Sequence, residues 1–268
     1  FLLVKLSFLR LSIMNYNKLY NLSGFKPYTN LTFINASRKE QQFSIRHVQE
    51  FGKLFLFLFD FRKLSSSGEY INQESNNTLF EGNFEYHSKK SNYEIKFSNG
   101  IYKNFYEENG GLVTPKNYEI NLFDEQRNYA VNLQSSNSFM KRFDYKLNQK
   151  LDLFQLNSDS LNKRKFYLKY QINYSTKQKV FFDNDPLSLI YNQIYLDSNL
   201  TVDSIYTNIF SNIAYLGYGN SNFNFELFGQ YDQNEYFQSF GINNGYHNTY
   251  VGFVTDINRK VLNINFVG

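Results

Sequence analysis

The stretch RKFYLKYQINYS, Arg164 to Ser175, decides how the chain is read. Successive residues of a strand point to opposite faces, so Phe166, Leu168, Tyr170, Ile172 and Tyr174 share one side. Tyr167, Lys169, Gln171 and Asn173 share the other. A strand with one apolar and one polar face meets either a soluble core or lipid on its apolar side.

The same alternation recurs along the chain. KLFLFLFDFRK, residues 53 to 63, sets Phe55, Phe57, Phe59 and Phe61 against Asp60 and Arg62. TLFEGNFEYHS, residues 78 to 88, opposes Phe80, Phe84 and Tyr86 to Glu81, Asn83, Glu85 and His87. NYEIKFSN, residues 92 to 99, opposes Tyr93, Ile95 and Phe97 to Glu94, Lys96 and Ser98. KRFDYKLNQKLDLF, residues 141 to 154, opposes Phe143, Tyr145, Leu147, Leu151 and Leu153 to Arg142, Asp144, Lys146, Lys150 and Asp152. NFNFELFGQYD, residues 222 to 232, opposes Phe225, Leu227 and Tyr231 to Glu226 and Gln230. Weaker alternation in Leu31–Ile34, Phe43–Val48, Ile205–Leu216, Tyr246–Ile257 and Val261–Val267 brings the expected total to about eleven strands.

Composition fits an all-β chain. Of 268 residues, 23 are Tyr and 29 Phe, and only 3 are Pro, with no Trp; Tyr and Phe favour strands and membrane interfaces. An AT-rich coding sequence also favours Phe, Tyr, Asn, Lys and Ile, but it cannot arrange them in alternation. The 28 basic and 24 acidic residues are interspersed, which argues against a nucleic-acid surface. With no Cys there is neither a disulfide nor a thiolate site. The apolar runs are far shorter than the roughly 18 residues of a membrane helix. A mean hydropathy of −0.51 suits a soluble protein, and equally a barrel in which alternate residues face lipid.

The connections divide into tight turns (EFGK at 50–53, SKKS at 88–91, GYGNSN at 217–222) and long segments, Leu64–Asn77, Asn104–Ser138 and Lys177–Val202. Counting strands alternately up and down puts all three long segments at one end, the pattern of outer-membrane barrels. Strands of about ten residues, tilted by about 40°, cover an apolar band about 25 Å tall. The residues therefore predict an antiparallel up-and-down transmembrane β-barrel, partial in this chain, with its apolar face on lipid.

From Pro27 onward the chain resembles the putative porin family of Gram-negative outer membranes. The resemblance is carried by PYTNLTF (27–33), SRKEQQFSIRHVQEFGKLFLFLFDFRKLSSSGEYINQESNN (37–77), EENGGL (107–112), DSLNKRKFYLKYQINYS (159–175), FFDNDP (181–186) and IYLDSNLTVDS (194–204). It implies an outer-membrane protein assigned to diffusion, with membrane lipid, small polar solutes and the barrel-assembly machinery as partners. Residues 1–26 are left unassigned, and 27–268 form the expected barrel domain. FLLVKLSFLRLSIM at the start and NINFVG at the end lead to the expectation of an internal fragment.

Catalytic, cofactor and metal sites are not expected. His47, His87 and His247 are far apart and lack ligand spacing, EENGGL lacks the GK[ST] of a phosphate loop, and no GxSxG is present. DNDP, residues 183–186, lacks the EF-hand pattern and reads as a solvated loop. The residues expected to act are those facing a water-filled lumen: Asp60, Arg62, Glu81, Glu85, Glu94, Lys96, Arg142, Asp144, Lys146, Lys150, Asp152, Lys169 and Glu226. Their signs nearly balance, so no charge selectivity follows. The expected function is passive diffusion of small polar solutes; the alternative is a structural or adhesive β-sheet surface protein without transport activity.

Overall fold

The computed structural model describes residues 27–52, 54–90, 92–113, 129–156, 164–184, 201–220, 223–239, 243–257 and 265–267. Its strands are β1 (Tyr28–Asn35), β2 (Gln41–Phe51), β3 (Phe55–Ser66), β4 (Ser75–His87), β5 (Tyr93–Glu108) and β6 (Ser136–Leu156). They continue with β7 (Arg164–Asp183), β8 (Thr201–Gly219), β9 (Phe223–Gln238), β10 (Asn243–Ile257) and β11 (Asn265–Val267). One 3-10 turn, Ser37–Lys39, joins β1 to β2. The strands form a single antiparallel sheet in chain order, β1 to β11.

Register carries the alternation across the whole sheet. Phe57 pairs with Gln49 on one side and Phe84 on the other, Phe84 with Phe97, Phe97 with Leu147, and Leu147 with Ile172. Directly paired residues lie on one face, so these apolar side chains form a continuous aromatic and aliphatic surface. On the opposite face Arg46 pairs with Asp60, Asp60 with Glu81, Glu81 with Gly100, Gly100 with Asp144, and Asp144 with Ser175.

Burial is inverted relative to a soluble domain. Asp60 is 1% exposed and Glu226 7%, whereas Phe57 is 38% and Leu227 47% exposed. Among the described strand residues, the enclosed side chains (Val48, Leu58, Asp60, Asn77, Ser98, Ser136, Tyr167, Asp183, Ser211, Ile213, Glu226 and Asn234) all lie on the polar face, and on the aromatic face it is a glycine, Gly82, that is enclosed. Salt-bridged and hydrogen-bonded side chains cover one another there, while no second layer covers the aromatic face among the described residues.

Three sequence expectations are corrected. The sheet is not closed into a barrel and is not strongly curled; among the described residues β1 and β11 do not pair. The transmembrane β-barrel is overturned, and with it the water-filled lumen and passive diffusion through it, because the described residues form no closed channel. Alternation dictates which face a side chain takes, but closure depends on strand number, stagger and tilt acting together, which alternation does not encode. The strands also exceed the expected ten residues: β6 runs for 21 and β7 for 20. Lys177–Asp183, expected in a long loop, continues β7 because its backbone ladder extends against both β6 and β8.

The turns follow the sequence more closely. Gly52 takes a φ of 59° between β2 and β3, where a side chain would be strained, and the Leu54 N–H closes the turn onto the Phe51 carbonyl at 3.3 Å. Gly110 and Gly111 of EENGGL, with φ of 64° and 86°, make a loop rather than a phosphate cradle opening a helix. Near the end of β6 the register against β7 shifts between Asp152 and Phe154, a bulge that leaves Leu153 outside the ladder and 45% exposed. Residues 1–26, residues 157–163, and Asp185 and Pro186 of DNDP lie outside the described residues.

Candidate functional site

The polar face is where the chain concentrates its chemistry. Asp60, central on β3, receives Nε of Arg46 at 2.9 Å from β2, and Nε and Nη2 of Arg62 at 2.9 and 2.8 Å from its own strand. Burial works against the Asp60 charge, but hydrogen bonds from Arg62 and Arg46 prevail and hold the carboxyl below its usual range. Glu81 is pushed the other way: burial raises it chiefly, and the charge of Asp60 adds to this. The Tyr102 hydroxyl donates to Glu81 at 2.8 Å.

A second cluster lies toward the tight-turn end. Lys96 contacts Glu94 at 2.6 Å and Glu85 at 3.8 Å, with His87 within 3.7 and 3.8 Å of Glu85 and Glu94. On β6 the Arg142 Nε meets Asp144 at 2.9 Å, and the Ser175 hydroxyl donates to the same carboxylate at 2.6 Å. Asp152 accepts from Lys165 at 2.6 Å, with Lys150 at 3.7 Å.

The last cluster spans β7 to β9. The Tyr167 hydroxyl lies 2.6 Å from both Glu226 Oε1 and Asn224 Oδ1, and Lys169 is hydrogen-bonded to Glu226. Lys150 and Lys169 stand 4.6 and 5.1 Å from the Tyr167 ring centroid, so the ring's negative face meets two cations. Burial opposes the Glu226 charge, yet bonds from Lys169 and Tyr167 outweigh it and lower that carboxyl.

All the residues expected to face a lumen stand on this one face, but they face no lumen. They divide into local networks, Asp60–Arg62–Glu81, Glu85–Glu94–Lys96, Arg142–Asp144, Lys150–Asp152 and Lys169–Glu226, the last two joined through the Tyr167 ring. Lys146 shares the face without an ion-pair partner among the described residues. Sequence reading missed Arg46, Tyr102, Tyr167, Lys177 and Lys179. Tyr167 opposite Gly217 and Arg46 opposite Asp60 were readable once strand register was fixed. Among the described residues no group of three or more His, Asp or Glu is placed to hold a metal ion.

These networks lie on one face of a wide antiparallel sheet whose other face is aromatic and aliphatic. The chain belongs to the putative porin family, whose model matches residues 8–267, so the match includes most of the segment that the sequence reading left unassigned. Membership makes it a non-enzymatic protein and is consistent with an outer-membrane location. Among solved structures the chain is similar to the siderophore receptor PiuA from Acinetobacter baumannii, at 9% identity and a TM-score of 0.45 over 88% of this chain. The chain spans 47% of that receptor's length. No curated protein matches it.

Proposed function

We propose that the chain is a structural β-sheet of the outer-membrane surface, its aromatic face seated on lipid and its ion-paired face in water. The observation that carries this reading is the continuity of the apolar face by register, with Phe57, Phe84, Phe97, Leu168, Leu216 and Leu227 all more than a third exposed. Apolar patches on soluble monomers rarely exceed a few hundred Å², and this surface extends over most of the sheet.

Its limit supports lipid over an irregular protein partner. Lys63, Thr78, Lys103, Lys141 and Gln178 are directly paired in one row across β3 to β7 on the aromatic face, so polar side chains cross the apolar surface together. A row of that kind suits a planar boundary between hydrocarbon and headgroups. Open strand edges carry unpaired N–H and C=O groups that hydrocarbon cannot satisfy, which favours a sheet laid on lipid over one immersed in it. The partners on this reading are outer-membrane lipid and the barrel-assembly machinery that handles β-rich outer-membrane chains. Small polar solutes meet the polar face as part of the surrounding water.

The test is reconstitution of the purified chain into liposomes and planar bilayers. Flotation with the vesicles and the absence of discrete conductance steps are expected. Stable stepwise conductance would replace the structural role with a channel.

A further inference from the structure

We propose that Arg142, Lys177 and Lys179 form a binding site for a phosphate-type oxyanion on the polar face of β6 and β7. Arg142 and Lys177 are directly opposite in the ladder, and Lys179 follows on the same face two residues along β7. Like charges placed directly opposite across an antiparallel pair repel and destabilise it. Here two cations share one cross-strand position and a third lies about 7 Å along the strand.

Among the described residues little answers this charge. Among the described residues neither Lys177 nor Lys179 has an ion-pair partner; the acids at hand are Asp144, which also accepts from Ser175, and Asp203 on β8, which accepts from Ser239. Arg142 meets Asp144 through Nε, which leaves the two terminal amino groups of its guanidinium for another acceptor. Three cations stand against Asp144 and, diagonal to Lys179, Asp203, which leaves a net positive charge that a phosphate-type anion offsets. The planar guanidinium suits two oxygens of such a group, and the two ammonium groups supply point charges beside it. Neighbouring groups frame the position: the Tyr102 ring centroid lies 5.7 Å from the Arg142 guanidinium, and Thr207 is directly opposite Lys177. Burial, with Lys179 and Arg142 adding repulsion, disfavours the charged form of Lys177, a penalty that a bound anion removes.

The site does not depend on the lipid reading, since it lies on the opposite face. The experiment titrates the purified full chain with inorganic phosphate at constant ionic strength, followed by phosphorus NMR line width. A parallel arm measures binding to vesicles of phosphatidylcholine with and without phosphatidic acid. Saturable binding, weakened at least tenfold by the double substitution Lys177→Gln and Lys179→Gln, is expected. The double substitution Lys89→Gln and Lys90→Gln, in the β4–β5 turn, removes the same charge and leaves binding unchanged. If the first pair fails to fold, Lys179→Gln alone, at an exposed position, carries the comparison. Dependence on the lysine pair in the phosphate arm assigns a free anion, and dependence in the vesicle arm alone assigns a lipid phosphate. Absence of saturable binding in both arms, or equal loss in both double variants, overturns the site.

Discussion

The ring of Tyr167 lies over Gly217, its directly paired neighbour on β8. A Cβ built on that glycine comes within 2.2 Å of the ring's Cε2 and Cζ. The tyrosine is 5% exposed and its hydroxyl is held by Glu226 and Asn224, so the ring has little freedom to retreat. Glycine supplies the space, and the ring covers the backbone that glycine leaves bare. Tyr102 repeats the arrangement two residues from Gly100, where a Cβ meets the ring at 2.9 Å.

Gly217→Ala is therefore expected to lower stability by about 1 to 3 kcal/mol through overpacking. Urea unfolding in detergent measures it, and the cost shrinks sharply in a Tyr167→Ala background because the two changes share one contact. Equal costs in both backgrounds would separate the glycine from the ring.

The Asp60 network predicts a pH dependence. A carboxyl held below its usual range contributes stability above its unfolded value, about 4, and that contribution is lost as pH falls through the lower folded value. Asp60→Asn removes the contribution and the carboxylate that Arg46 and Arg62 share. The stability difference between wild type and this variant is expected to be largest near neutral pH and to shrink below about pH 4. Glu81 acts with the opposite sign: its raised carboxyl favours the fold at low pH and loses that effect as pH rises through its folded value. Urea midpoints at a series of pH values test both, and a wild-type-to-Asp60→Asn gap independent of pH contradicts the assignment.

Ile172→Arg places a charge on the apolar face, beside Leu147 of β6. Losing a buried Ile side chain alone costs about 1.5 to 3 kcal/mol, so vesicle binding is expected to weaken tenfold or more. Gln171→Arg, its neighbour on the polar face, is expected to leave binding within about twofold by the same reasoning. Vesicle co-sedimentation distinguishes them.

How much of this was legible in the sequence follows from what alternation encodes. A period of two assigns each side chain to a face, and the residues from Phe55 to Arg62 and from Phe166 to Tyr174 stand on the faces that alternation gives them. Alternation contains no information about pairing partners. Arg46 therefore went unnoticed in a weakly patterned strand, although register sets it directly opposite Asp60. Lys177–Val202 reads as a long connection because the alternation lapses after Tyr174, yet the backbone ladder continues through Lys177 and Lys179. Closure was the larger error. Sorting long connections to one end requires only that strands alternate in direction, a property that an open antiparallel sheet shares with a barrel.

The absence of Trp from the chain makes the central claim directly measurable. Phe84→Trp places a probe on the aromatic face and Tyr236→Trp one on the polar face, each the sole tryptophan of its variant. In vesicles containing lipids brominated along the acyl chain, the account predicts blue-shifted and strongly quenched emission at position 84, with water-like and nearly unquenched emission at position 236. Equal quenching at the two positions, or none at position 84, would contradict a sheet seated on lipid by its aromatic face.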